Sequence, residues 1–153
     1  VDASPERCWD VLGDPRMTWP RWWPGVSARR VEPRDGPVGS RATLAFRSPL
    51  GYALVVDLVV LAAEPPHRVR IAVDGHLHGT ADVRLAGTSP TSAEPDGSAT
   101  TIDVVWRVAT TRRWMNAAAP LLHRAFAAAH TRVMAAGEAG LQAHLAGDGA
   151  SAT

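Results

Sequence analysis

The side chains able to move a proton or hold a metal near neutral pH are few in this sequence. They are six histidines, one tyrosine, one cysteine and scattered carboxylates. His130 is the leading candidate for chemistry. It lies four residues after Phe126, on the inward face that a helical period assigns to a long C-terminal helix. Tyr52 would bring a hydroxyl to it if the strand carrying Tyr52 faces that helix. Together they could polarise a carbonyl or transfer a proton in an aldol-type cyclisation, which calls for no metal or redox cofactor. The plainer alternative is a core histidine hydrogen-bonded to backbone or water, the commoner role for a buried imidazole.

Other constellations are thinner. His76 and His78 share a strand face at the spacing of a two-ligand clamp, but a stable metal site takes three or four ligands and none is supplied nearby. No metal or other cofactor is therefore expected. Asp57 reads as a solvent-facing carboxylate beside Arg68 or Arg70, with a buried acid as the sharper alternative. Arg112-Arg113 next to Trp114 could meet an anionic headgroup, or simply cap a helix in solvent. Neither glycine-rich loop has phosphate-cradle spacing, and no nucleophile elbow occurs. All 16 basic residues are Arg, which excludes lysine Schiff-base chemistry. A single cysteine, Cys8, excludes an internal disulfide framework, and a net charge of +1 argues against nucleic acid as a partner.

These residues need a scaffold, and the 153-residue length suits one domain, 1–146, with a flexible tail at 147–153. Ser4-Pro5-Glu6-Arg7 supplies an N-cap and a proline at the first helical position, so a helix runs to about Gly13. Asp14-Pro15 repeats the signal and predicts a second short helix ending near Trp23. From Val26 to Val108 the period becomes two: apolar Ala42, Leu44 and Phe46 alternate with polar neighbours, as do Val69, Ile71 and Val73, then Ala81, Val83 and Leu85, then Ile102, Val104, Trp106 and Val108. On the strand around Asp57, one face carries Tyr52, Leu54, Val56, Leu58 and Val60, while Ala53, Val55 and Val59 form an outer apolar stripe that would suit a homodimer contact. Residues 87–98 read as a long mobile loop. The last element is a helix entered through Thr110-Thr111, bent or restarted at Pro120, and running to about Leu145. Its wheel places Leu122, Phe126, His130, Val133, Gly137 and Leu141 together, with Arg124, Thr131, Glu138 and Gln142 opposite. The fold class is α+β: a curved antiparallel sheet gripping a long helix. No window approaches a membrane span and no signal peptide precedes the first helix, so a cytoplasmic protein is expected.

The opening segment through Trp9-Asp-Val-Leu, then Asp14-Pro15-Arg16 and Trp19-Pro-Arg-Trp-Trp-Pro-Gly-Val26, resembles the start of START-like proteins. More narrowly, it is similar to bacterial polyketide cyclase/dehydrase-like SRPBCC proteins. Glu64-Pro-Pro-His-Arg68 and Thr110-Thr-Arg-Arg-Trp-Met-Asn116 extend the likeness over nearly the whole chain. The resemblance implies a helix-grip fold with a cavity between sheet and long helix, holding a lipid, a polyketide or another hydrophobic molecule. It also implies a first strand ending near Val1-Asp2, of which this sequence retains only the end.

Six Trp in so small a domain invite a use. Trp19, Trp22 and Trp23 could form a wall or lid of the cavity, or plug the sheet end as plain core. Leu44, Phe46, Tyr52, Leu54, Val56, Ile71, Val83, Ile102, Val104, Trp106, Leu122, Phe126 and His130 complete the expected lining, since in a helix-grip fold core and site coincide. The expected function is binding of a small hydrophobic ligand. The alternatives are a cofactor-free polyketide cyclase or dehydratase using His130, and an accessory protein that binds a partner.

Overall fold

The computed structural model describes residues 1–48, 51–88 and 99–150; side chains of residues 113–123, 125, 126 and 148–150 are outside the description. Helix α1, Pro5–Leu12, starts as its residues dictate. The Ser4 hydroxyl accepts from the Arg7 N–H at 3.3 Å, and Pro5 occupies a position where a missing N–H costs nothing. The expected second helix is reduced to one 3-10 turn, Trp19–Arg21, because Pro20 and Pro24 leave too little uninterrupted chain for helical bonding.

Six strands follow: β1 Val26–Glu32, β2 Arg41–Arg47, β3 Ala53–Glu64, β4 Arg68–Gly75, β5 Leu77–Thr88 and β6 Ala99–Thr110. They pair as consecutive antiparallel neighbours in the order β1-β2-β3-β4-β5-β6. The two-residue alternation places the apolar faces in register: Val60, Ile71, Ala81 and Trp106 form one row across four strands, and Val69, Val83 and Val104 another. Bulges at Arg29 in β1 and Leu61 in β3 add bend to this twisted sheet. At the start of β6, Val1 lies alongside Thr100: the Val1 ammonium donates to the Thr100 carbonyl at 3.0 Å and the Thr100 N–H to the Val1 carbonyl at 2.8 Å.

The outer face carries the charge. Asp82 is buried beneath Arg68, whose guanidinium bonds both carboxylate oxygens at 2.5–3.2 Å, while Arg84 adds a fourth bond. Asp57 faces outward too, but its partner is the Thr43 hydroxyl at 2.5 Å, and the residue opposite is Asp74 instead of an arginine. The one-residue register at β3–β4 sets Arg70 against Ala62, out of reach of Asp57.

Helix α2, Arg113–Ala150, is assigned as one continuous helix through Pro120 and beyond Leu145, so most of the expected tail is helical. Of the loop expected at 87–98, Gly87 and Thr88 belong to β5, and the rest lies outside the described residues. Two apolar clusters flank the concave side of the sheet. One joins Met17 to Leu44, Val56, Leu58 and Val73; the other joins α1, through Ala3 and Cys8, to Leu85, Leu141 and Leu145. Burial pushes the Cys8 thiol pKa up, so it packs there as a small apolar group.

What fixes α2 over the sheet is aromatic. The Trp23 indole N–H donates to the Val133 carbonyl at 2.9 Å, and its ring lies so close to Gly137 that a Cβ there would overlap it. Gly140 makes the same allowance for the Trp22 backbone. Gly→Ala inside a helix ordinarily stabilises by about 1 kcal/mol. At Gly137 the sign is expected to reverse, with a loss of about 1–3 kcal/mol from overpacking; urea denaturation of Gly137→Ala checks it. The Arg68 hydrogen bond also holds the Asp82 carboxyl below its usual 3.8. Its stabilisation is complete above that value and fades as pH falls through the depressed one. Asp82→Asn should therefore lower Tm at pH 7, and the gap from the unsubstituted protein should close as the buffer is taken below pH 3.8.

Candidate functional site: an apolar cavity under the long helix

Between the two apolar clusters the concave face is left uncovered, and a cavity of about 730 Å³ opens there. That volume falls within the range of ligand pockets. Its floor is the sheet: Ile71, Ala81, Val83, Ile102, Val104 and Trp106 present the inward side of β4, β5 and β6. One wall is aromatic. Trp22 stacks on Trp23 with ring centroids 6.2 Å apart, Trp19 tilts against Trp23 at 5.9 Å, and Phe46 meets Trp23 edge-on at 6.3 Å. These geometries suit the ring quadrupoles, so the wall is pre-formed.

The other wall is a flank of α2. His130, Met134 and Glu138 stand four residues apart on it, joined by Thr131 and Ala135. Thr131 and Glu138, which the wheel set opposite the apolar stripe, are exposed and border the cavity from its rim. The helix packs through Ala129, Gly137 and Leu141, and its adjacent polar flank edges the cavity while staying open to solvent. The spacing 130–134–138 was visible in the sequence. Its meaning depended on how far the helix rolls, which the Trp22–Trp23 pair decides.

His130 lines the cavity but is exposed, not buried, and so belongs to the rim. Tyr52 is not in the wall; it precedes β3, half-buried, its carbonyl accepting from Ser48 at 2.8 Å. The suggested His130–Tyr52 partnership is therefore not assembled at the cavity. Leu44 and Val56 are fully buried in the cluster under Met17, and Leu54 likewise lies outside the lining. They are covered because Trp19 and Met17 close over that end of the sheet. Leu122 and Phe126 fall outside the described side chains. His76 and His78 diverge: His76 Nδ1 accepts from the Val55 N–H at 2.9 Å, while His78 Nδ1 lies 3.3 Å from Asp74. Among the described residues, no group of three metal-ligating side chains forms.

Sequence reasoning also missed Asp14, which lies on the rim and accepts from the Arg16 N–H at 2.9 Å and Arg16 Nε at 3.1 Å. Its Asp-Pro context pointed to a helix cap, which hid this position. Two polar atoms deserve note. The indole N–H groups of Trp22 and Trp106 are buried with no acceptor among the described residues, and both rings line the cavity. Leaving such a donor unmet costs about 1–3 kcal/mol.

A family model described as polyketide cyclase/dehydrase and lipid transport matches residues 1–146. The chain belongs to that family. Three solved structures share its fold at low identity. A Rhodobacter sphaeroides protein is 20% identical at a TM-score of 0.59, covering 95% of this chain and 86% of its own. A Mycobacterium smegmatis protein is 17% identical at 0.59, covering 96% and 87%. A conserved protein of Geobacillus kaustophilus is 14% identical at 0.61, covering 95% and 90%. Among curated proteins none matches significantly. The helix-grip architecture expected from the sequence is thus the family's, and among the described residues no helix is long and apolar enough to cross a membrane.

The rim position of His130 has a direct consequence. His130→Ala should leave stability within about 0.5 kcal/mol of the unsubstituted protein, as for other exposed sites. Chemical denaturation tests this, and a loss of several kcal/mol would return His130 to the core.

Proposed function

We propose that this protein binds a small hydrophobic molecule in the cavity between its sheet and α2. The observation that carries the reading is the lining: an apolar floor and an aromatic wall, with polar groups confined to the rim. Such a surface gains affinity from apolar burial and orientation from a few donors. The family description, which includes lipid transport, supports the same class of ligand. So do the Trp22 and Trp106 indoles, whose unmet N–H groups would suit a ligand bearing an oxygen acceptor.

A cyclase or dehydratase would need an acid and a base brought together on one substrate position. Among the titratable residues of the rim, Asp14 is engaged by Arg16 and Thr18. His130 and Glu138 are eight residues apart on one helix, about 12 Å along its axis. That spread favours holding a ligand over transforming it. The outer stripe on β3 supports the homodimer reading only weakly, since Val55 and Val59 are already half-buried by their neighbours.

Native mass spectrometry of freshly purified protein should show a copurifying non-covalent ligand, or uptake of added 1-dodecanol. A floor substitution separates cavity binding from surface adsorption. Val83→Trp, which fills the space without adding charge, should weaken dodecanol binding at least tenfold while circular dichroism stays unchanged. Equal binding by Val83→Trp would overturn the proposal.

A further inference from the structure

Away from the cavity lining, one corner of the fold gathers cationic groups. It lies where β4 turns into β5 and β6 passes into α2. His76 is tied there to β3 twice: its backbone N–H donates to the Val55 carbonyl at 2.9 Å, and its Nδ1 accepts the Val55 N–H at 2.9 Å. An Nδ1 that accepts carries no proton, so the neutral ring holds its proton on Nε2. The Arg112 guanidinium nevertheless stands with Nη2 2.9 Å from that Nε2 and 3.1 Å from Nδ1. A guanidinium only donates. The guanidinium can only share the Nδ1 lone pair already used by the Val55 N–H, and at Nε2 it meets another donor.

The contact is not a loose side chain straying. The Arg112 N–H is held by the Thr110 hydroxyl at 3.1 Å, the Thr111 N–H by the His76 carbonyl at 3.0 Å, and the Thr111 hydroxyl donates to the Gly75 carbonyl at 2.8 Å. A second cation is near: burial first, then the charges of Arg112 and Arg29, keep the His76 imidazole from protonating at its usual pH. No carboxylate is bonded to Arg112 among the described residues. Asp74, two residues before His76, is occupied by the Gly75 N–H at 2.8 Å and by His78. The N-terminal end of α2 begins at the next residue, with its partial positive charge.

We propose that this corner is an anion-binding site, in which a carboxylate or phosphate group binds beside the Arg112 guanidinium and the His76 Nε2–H. One oxygen would accept from both donors, and Arg29 would add attraction at longer range. The chemistry fits either a free anion or the headgroup of an amphiphile whose apolar part occupies the cavity, in which case it rests on the binding reading above.

Inorganic phosphate is the first probe, titrated at constant ionic strength set with chloride, with the His76 ring nitrogens followed by NMR. A saturable shift with a millimolar midpoint is expected. The midpoint should weaken at least tenfold in Arg112→Gln and remain in place in Arg124→Gln, an exposed arginine on α2. Arg29→Gln, expected to weaken it about threefold, serves if Arg112→Gln does not fold. No saturable shift, or an unchanged midpoint in Arg112→Gln, overturns the site. Dodecyl phosphate then separates the sources. Tighter binding that perturbs His76 and is lost in Val83→Trp assigns the anion to a cavity ligand. A midpoint equal to that of inorganic phosphate, unaffected by Val83→Trp, assigns it to a free anion and leaves the cavity reading untouched.

Discussion

The position of α2 rests on two tryptophans set against two glycines. Trp23 bonds a helix carbonyl at Val133 and lies on the bare backbone of Gly137, while Trp22 backs onto Gly140 and stacks with His144 at 6.0 Å. Side chains at either glycine would push the helix outward. With both absent, the C-terminal half of α2 is drawn down over the aromatic segment, and Leu141 and Leu145 reach the cluster built around α1. Among the described residues, the helix is anchored from Val133 to Leu145.

Dimensions turn that anchoring into a cavity. Six strands at about 4.8 Å spacing make a sheet roughly 24 Å wide. One helix with its side chains is about 10–12 Å across and cannot cover such a face. The bulges at Arg29 and Leu61 curl the sheet further around the gap. Met17 and Trp19 cover one part and α1 another, and the remaining space on β4, β5 and β6 stays open. Apolar side chains that would be plain core in a flatter fold thus become walls. Core and site are the same residues seen from two sides.

This explains which parts were legible in the sequence. Period two along the strands and the Ser4-Pro5 cap are local signals, and they give the sheet, its apolar face and α1 directly. The 3-10 turn in place of a second helix follows from Pro20 and Pro24, whose spacing outweighs the Asp14-Pro15 start signal. Harder were the choices made at long range. Val83 and Leu44 carry the same alternation, yet one lines the cavity and the other lies fully buried, because Met17 and Trp19 settle on only one end of the sheet. Thr131 and Glu138 are solvent-facing as the wheel has them, and that they also border the cavity depends on the roll that Trp23 imposes, of which a wheel has no knowledge. His76 and His78 looked like a pair, but His76 lies in the β4–β5 turn bonded to Val55 and His78 stands on β5 beside Asp74.

The division between apolar floor and polar rim also sets what each part can contribute to binding. Covering 200 Å² of apolar surface is worth about 5 kcal/mol at ~25 cal/mol per Å². A single neutral hydrogen bond contributes about 1 kcal/mol net. On the proposed reading, affinity at this cavity would therefore come from the floor and the aromatic wall, with tolerance of ligand detail. Selectivity must come from the few groups that penalise a mismatch: two buried indole N–H donors, and the Glu138 carboxylate on the helix flank. A fold shared at 14–20% identity can keep such a floor while replacing its rim. The solved relatives consequently share the fold alone, and on the proposed reading the choice of ligand would fall to Trp22, Trp106, His130 and Glu138.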